Sequence, residues 1–304
     1  MRIDSRQLSA FAAVLREGSF DGAARALHVT PSAVSQRIKG LEERMGRVLV
    51  QRSSPCVATP AGQALQRHAQ QLQLLEADVL QPFGLGLPQR QGEPGPPALP
   101  LALAVNADSL ATWFVPALAA VQAAHPVAFE LHVEDQDHSA LLLREGRVMA
   151  AVTSEPCPVQ GCVAEPLGAM RYVAVASPAF VARHFAQGVD AASLAAAPCS
   201  VFNARDSLQA RFMRRLTRKK LAPPLHRVPG THGFVHAALH GLGWGMNPQV
   251  LVGGLLASGD LVELVPGQHL DVALFWQHWR IESEALRGLT GAVHAAAGAM
   301  LVPA

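Results

Sequence analysis

The sequence predicts an α/β protein built from two unlike parts, a small helical unit at the N-terminus and a larger region in which strands and helices alternate. Three observations carry this. Apolar residues recur at helical spacing through the N-terminal part. A stretch at 88–100, PQRQGEPGPPALP, holds five prolines and two glycines, which neither a helix nor a paired strand tolerates, and reads as a hinge. Beyond it, short apolar runs alternate with helical periods, the pattern of α/β units. At 304 residues, 50% hydrophobic and 16% charged, the chain can bury a large core in two or three compact units and is neither disordered nor fibrous. Charge divides along the same line. Residues 1–90 hold 11 Lys+Arg against 7 Asp+Glu and residues 91–304 hold 14 against 16, so a polyanion would meet the N-terminal part.

The first helix is read from Ser5 to Leu15, where Leu8, Phe11, Val14 and Leu15 share a face and Gly18 ends the pattern. Asp21 is a candidate N-cap for a short helix, Gly22 to Leu27, whose Ala23, Ala24 and Ala26 allow close approach of another helix. Thr30 caps the next, with Pro31 at the first helical position, where its missing N–H costs nothing. Along it Val34, Ile38, Leu41 and Met45 form the apolar side, while Ser32, Ser35, Gln36 and Lys39 face outward with Arg37 at their flank.

Two short helices joined by a tight turn, the second opening on hydroxyl, amide and guanidinium groups, match a helix-turn-helix. Small side chains at its start would let the second helix enter the ~12 Å major groove. There Ser32, Ser35, Gln36, Arg37 and Lys39 would reach base edges and phosphates. Val48-Leu49-Val50 is a strand signal, Arg52 follows it, and Thr59-Pro60 opens another helix, so residues 47–58 fit a wing beside the groove, with Arg52 a further DNA contact. An ordinary three-helix packing unit with a solvated polar face fits the same pattern.

Residues 5–65, LSAFAAVLREGSFDGAARALHVTPSAVSQRIKGLEERMGRVLVQR followed by ATPAG, resemble the winged-helix DNA-binding domain of LysR-type transcriptional regulators. The resemblance rests on the alanine-rich second helix, on Ser32-x-x-Ser35-x-x-Ile38-x-x-Leu41-Glu42, on Gly46, Leu49 and Arg52, and on Thr59-Pro60-x-Gly62. Val50-Gln51 departs from the family's usual Phe-x pair, a change of packing more than of contacts.

After the wing, Leu65, His68, Leu72, Leu75 and Val79 repeat at spacings 3-4-3-4, a short heptad seam. A seam needs a partner, either a second copy through Leu65, Leu72, Leu75 and Val79 or the helix's own domain. The resemblance implies that this linker helix makes the dimer, with two recognition helices on half-sites about one DNA turn apart. The expected organisation is a winged helix-turn-helix at 1–60, a linker helix at 61–87, a hinge at 88–100 and an effector-binding domain at 101–304.

In that last region the segments Leu99–Val105, Val127–Val133, Val148–Thr153, Arg171–Ala176, Cys199–Phe202 and Leu225–Val228 read as strands. Ser109–Ala124, Asp137–Glu145, Pro178–Phe185, Ser207–Arg218 and His232–His240 read as helices, and parallel α/β units are expected. The family resemblance implies two subdomains like those of periplasmic binding proteins, about 101–167 with 272–304 and about 168–271, and a ligand in the cleft between them. LALAVNADSLATWFVPAL at 101–118, HVEDQ at 132–136 and ALFWQHWR at 273–280 resemble one branch of the family, the ArgP/LysG regulators of arginine and lysine export.

Ser109 opens a helix directly after a strand, where free N–H groups favour an anion such as an α-carboxylate, with Asn106 and Thr112 adding hydrogen bonds and Trp113 a wall. Asp135 follows a strand end and would pair with a guanidinium or ammonium, although Asp135 and Glu134 also fit as plain helix caps. Phe202, Asn203, Thr231 and His232 are expected to face the cleft from the second subdomain, and Thr153 from a strand end. Asn203 and His232 stand where much of that branch carries acidic residues, which leaves open a different amino acid as ligand or compensation by Asp206.

Cys56, Cys157, Cys162 and Cys199 show no paired metal motif and read as reduced structural thiols. His232, His236 and His240 share a helix face at a spacing that can hold a metal, but no further ligand type accompanies them, and no metal or cofactor is expected. The run Arg211, Arg214, Arg215, Arg218, Lys219, Lys220 reads as a solvated face. No apolar run matches a bilayer span and MRIDSRQLSA lacks a signal core, so a cytoplasmic protein without a membrane partner is expected. The expected function is a ligand-responsive regulator, not an enzyme. Its expected partners are promoter DNA, a basic amino acid, a second copy or a tetramer, and RNA polymerase. A solute-binding protein or enzyme on the same domain, and shape-directed nucleoid binding, are the alternatives.

Overall fold

A computed structural model of the chain describes residues 3–80, 99–124, 127–134 and 139–303. The hinge expected at 88–100 lies outside these apart from its last two residues.

The N-terminal unit holds α1 (Ser5–Glu17), α2 (Phe20–Ala26) and α3 (Pro31–Met45), the strands β1 (Val50–Gln51) and β2 (Val57–Ala58), and α4 (Pro60–Leu80). Asp4 caps α1 by accepting from the Arg6 and Gln7 N–H groups, and Gly18 ends it with φ 65°. The cap of α2 is Ser19, not Asp21: Ser19 holds an extended backbone and its Oγ accepts from Gly22 N at 3.0 Å, so the helix starts earlier and Asp21 becomes an acid in its first turn. Thr30 caps α3 at Ala33 N, 3.2 Å, with Pro31 leading the helix as expected. Phe11, Val14, Val34, Ile38, Leu41, Leu49 and Leu65 form one buried core.

That core explains the spacing of several polar residues. Glu42 Oε1 accepts from Leu49 N at 2.8 Å and Val50 N at 3.2 Å, tying α3 to the antiparallel wing strands β1 and β2. Thr59 Oγ1 donates to Val48 O at 2.7 Å, and a Cβ on Gly62 would stand 2.1 Å from Leu49 O, so α4 can start this close to the wing only on glycine.

The apolar residues of α4 do not form one outward seam. Leu65 is buried and Leu72 packs in the N-terminal core, Leu74 is buried in the core of the C-terminal region, and Leu75 and Val79 are exposed. Arg67 donates to Arg144 O at 3.0 Å, and Asp78 Oδ2 accepts from Glu284 N at 3.0 Å, so the linker helix touches the larger region two turns in from its start and again near its C-terminal end.

In that region β3 (Leu99–Val105) leads into α5 (Ala107–Ser109), which continues through a π-helical turn, Leu110–Phe114, into α6 (Val115–Ala124). There follow β4 (Val127–Val133), α7 (Ser139–Arg144), β5 (Ala150–Thr153), β6 (Cys162–Ala176), α8 (Pro178–His184), α9 (Ala191–Ala196), β7 (Cys199–Val201) and α10 (Leu208–Thr217). The chain ends with β8 (Leu225–Arg227), α11 (Thr231–Leu239), β9 (Gly245–Pro248), α12 (Gln249–Ser258), β10 (Val262–Glu263), β11 (His269–Trp279) and α13 (Glu284–Met300).

The sheet order is β10-β6-β11-β5-β3-β4, with β9 also on β6, while β7 and β8 pair separately. Among the described strands, parallel pairing joins β3 to β4 and β5, and β7 to β8, with one isolated parallel bridge between Cys199 and Trp244. The expectation of parallel α/β units is corrected for the rest of the sheet, where the long strands β6 and β11 pair antiparallel. The Phe275–His278 end of β11 pairs β5, and the Tyr172–Val175 segment of β6 pairs β9. Between them the register shifts at Leu274/Phe275, opposite Gly168 and Pro166, and Gly168 takes φ 120° against the Val302 backbone. Trp113, Phe114, Tyr172, Trp276 and Trp279 fill the shared core, with Trp113 edge-on to Phe114 at 5.5 Å.

Candidate functional site

On α3, Ser32, Gln36 and Lys39 are exposed and Ser35 and Arg37 half-buried, opposite the buried Val34, Ile38 and Leu41. Lys39 sits 3.7 Å from Glu43. Arg52 leaves the wing strand exposed, its guanidinium 4.9 Å from the centre of the Phe20 ring. All six side chains expected to meet DNA are therefore at least partly open to solvent.

The larger region encloses a cavity of about 420 Å³ where β3, β6, β9 and β11 meet the turns before α10 and α11. Of the expected effector residues, Asn106, Phe202, Asn203 and Thr231 line it. Ser109 is wholly buried beside the lining, Thr112 Oγ1 donates to the Asp108 carbonyl at 2.7 Å, and Trp113 lies in the core instead of forming a cavity wall. Thr153 Oγ1 donates to Glu155 O at 3.1 Å, and its neighbour Ser154 lines the cavity. His232 is exposed outside the lining, on the same open helix as the stacked His236 and His240, and no metal-holding group of three occurs among the described residues. Asp135 lies outside the described residues, while Glu134 lines the cavity.

Asp108, not singled out from the sequence as a ligand contact, occupies the junction. Its Oδ2 accepts from Tyr172 OH at 2.7 Å and its Oδ1 from Thr231 Oγ1 at 2.8 Å, so one carboxylate joins α5, β6 and the start of α11. Tyr172 is the chain's one tyrosine, a signal the sequence did offer. Asn247, buried on β9, gave no such signal, because Gly245 and Pro248 disguise the strand.

The opposite wall is a turn organised by side chains. Asn203 Oδ1 accepts from Arg205 N at 2.7 Å, and Asp206 accepts from Phe202 N at 2.8 Å and Leu208 N at 3.0 Å, which starts α10. Burial, aided by Asp206, pushes the Cys199 thiol up to about 12, so it stays a neutral core group. Across β6 and β11, Arg171 grips Asp271 with bonds of 2.8 and 2.9 Å. That hydrogen bonding holds the Asp271 carboxyl below its ordinary range against the opposing effect of burial, with the charges of Arg171, His269 and Arg215 assisting.

Two family models match the chain: the lysR-family bacterial regulatory helix-turn-helix protein over residues 5–63 and the LysR substrate binding domain over residues 94–298. The chain belongs to the LysR family of transcriptional regulators. As a LysR-family regulator it is a DNA-binding protein and not an enzyme. It is 48% identical over 299 residues to the HTH-type transcriptional regulator LysG of Mycobacterium tuberculosis, covering 98% of this chain and 95% of that protein. The crystal structure of ArgP from Mycobacterium tuberculosis matches with a TM-score of 0.87 at 47% identity, over 100% of both chains. Full-length LysG from Corynebacterium glutamicum with bound effector Arg matches with a TM-score of 0.77 at 38% identity, over 99% of this chain and 100% of that one. No helix among this regulator's described residues is long and apolar enough to cross a membrane.

Proposed function

We propose that this LysR-family regulator binds a basic amino acid, arginine or lysine, in the cavity between two subdomains, and that occupancy changes its contacts with a promoter. The observation that carries the reading is the likeness over the whole chain to a LysG solved with bound Arg. The cavity's chemistry supports it. Asp108, Glu134 and Asp206 outnumber Arg205 and Arg211 in the lining, with Asp271 already paired to Arg171, a slight negative balance that favours a cationic ligand. Asp135 remains our assignment for the side-chain cation. The subdomain divide is proposed at 167/168 and 271/272, beside the bulge between β6 and β11.

On the DNA side, Ser32, Ser35, Gln36, Arg37, Lys39 and Arg52 are assigned to the groove and its phosphates. Pairing of two copies is assigned to the linker helices, chiefly through the exposed Leu75 and Val79, which would set two α3 helices about one DNA turn apart. Assembly to a tetramer, contact with RNA polymerase and control of an amino-acid exporter gene complete the reading. A thermal-shift screen of the full chain against the twenty amino acids tests the ligand. Arginine and lysine at about 100 times their Kd should add ~2.7 kcal/mol of stability. A shift with neutral amino acids alone would overturn the basic-ligand assignment.

A further inference from the structure

We infer that the basic face of α10, with the turn that follows it, is a second DNA-contacting surface that holds the phosphate backbone of duplex flanking the site met by α3. Between Asp206 and Asp260 the chain carries seven Lys+Arg and no Asp or Glu, and six of those cations fall within residues 211–220. Residues 91–304 hold 14 Lys+Arg against 16 Asp+Glu, so half of that region's cations and none of its acids lie in this one stretch. An ordinary protein surface intersperses both signs, whereas a stretch of one positive sign is the footprint of a polyanion.

The fold displays these cations on one side. Phe212 and Met213 are buried, with the Phe212 ring 5.9 Å from that of Trp244, which turns the opposite side of α10 outward. Arg211, Arg214, Arg215 and Arg218 follow at i, i+3, i+4 and i+7 and are all exposed, as are Lys219 and Lys220. Arg215 is tied to His269 O at 2.9 Å, but no ion pair among the described residues includes Arg214, Arg218, Lys219 or Lys220. Like charges at these spacings repel one another, a cost that no acid within the stretch relieves. The recognition helix is less basic, since α3 carries Glu42 and Glu43 among its cations. Arg211 to Arg218 spans roughly 10 Å of helix, the length of about three successive phosphates on one DNA strand. As a DNA-binding protein, the regulator works in the company of that polyanion, and charge complementarity selects it as the partner of this face.

Binding of the full-length protein to two duplexes at a series of salt concentrations tests this. One duplex carries only the site selected by the protein's own binding, and the other adds arms of about 20 base pairs of arbitrary sequence on each side. The variant combines Arg214→Gln, Lys219→Gln and Lys220→Gln, sparing Arg211 at the cavity and Arg215 on His269. Wild type should bind the armed duplex more tightly, with a steeper salt slope, and should protect part of the arms in a footprint. In the variant that gain should vanish, its slope on the armed duplex falling by at least about two units at ~0.9 for each phosphate contact removed. Its affinity for the short duplex should match wild type, which also shows the fold intact. Arg214→Lys alone keeps the charge and should keep the gain. Equal affinity and slope of the wild type on both duplexes, or an equal loss by the variant on both, overturns the DNA contact. A variant that sediments as smaller particles than wild type in the absence of DNA overturns it too, and assigns the face to the acidic surface of a second copy.

Discussion

Arg171 and Asp271 face each other across β6 and β11, directly paired in register, and their bidentate bond places a charge-dependent clamp at the cavity wall. A carboxyl held below its ordinary range contributes stability that is fully present above the unfolded-state value, about pH 4, and is lost as pH falls through the lower folded value. Arg171→Met should therefore be less stable than wild type at neutral pH by a modest amount, since the pair is about one-third exposed on each side. The difference should close as pH falls below the ordinary aspartate range. Urea titrations at a series of pH values measure it, and a gap that persisted unchanged at the lowest pH would show that packing of the Arg171 stem, not the ion pair, is responsible.

At the scale of elements, the turn into α4 shows how one glycine fixes the joint between wing and linker. A Cβ on Gly62 would meet Leu49 O at 2.1 Å, far inside contact distance, so Gly62→Ala must push the helix start off the wing strand. The expected cost is ~1–3 kcal/mol, as for overpacking, and thermal unfolding together with operator affinity should report it. A variant as stable as wild type with unchanged DNA affinity would contradict the tight joint. The sequence made such elements legible where local chemistry decides: Thr30-Pro31 started α3, and Thr59-Pro60 started α4. It misled where a neighbouring residue competed, as Ser19 displaced Asp21 from the cap of α2. It was silent where pairing is long-range. The first half of β6, with Pro166 and Gly168 in its run, reads as a loop until β11, from Leu274 to Trp279, supplies its partner. The cavity follows the same rule: Asn106, Phe202, Asn203 and Thr231 stood at legible strand and helix ends, whereas Asp108 acquires its place only when Tyr172 and Thr231 arrive from distant segments.

Across the whole molecule, the N-terminal unit and the ligand-binding region are joined by a helix that belongs to both. Leu65 and Leu72 pack with the first core, Leu74 enters the second, and Asp78 accepts from the first N–H of α13, which follows directly on the cavity-lining strand β11. A ligand that alters the cavity thus acts on a segment in direct contact with the arm that carries the recognition helix, and only a ligand that favours one arrangement over the other can shift the balance. The central claim is that a basic amino acid in this cavity changes how the protein holds its promoter. Footprinting of the full-length protein on a promoter fragment selected by its own binding, with and without saturating arginine or lysine, tests it most directly. The protected boundaries should move when either amino acid is present. Identical footprints with and without an amino acid that calorimetry shows to be bound would contradict the account.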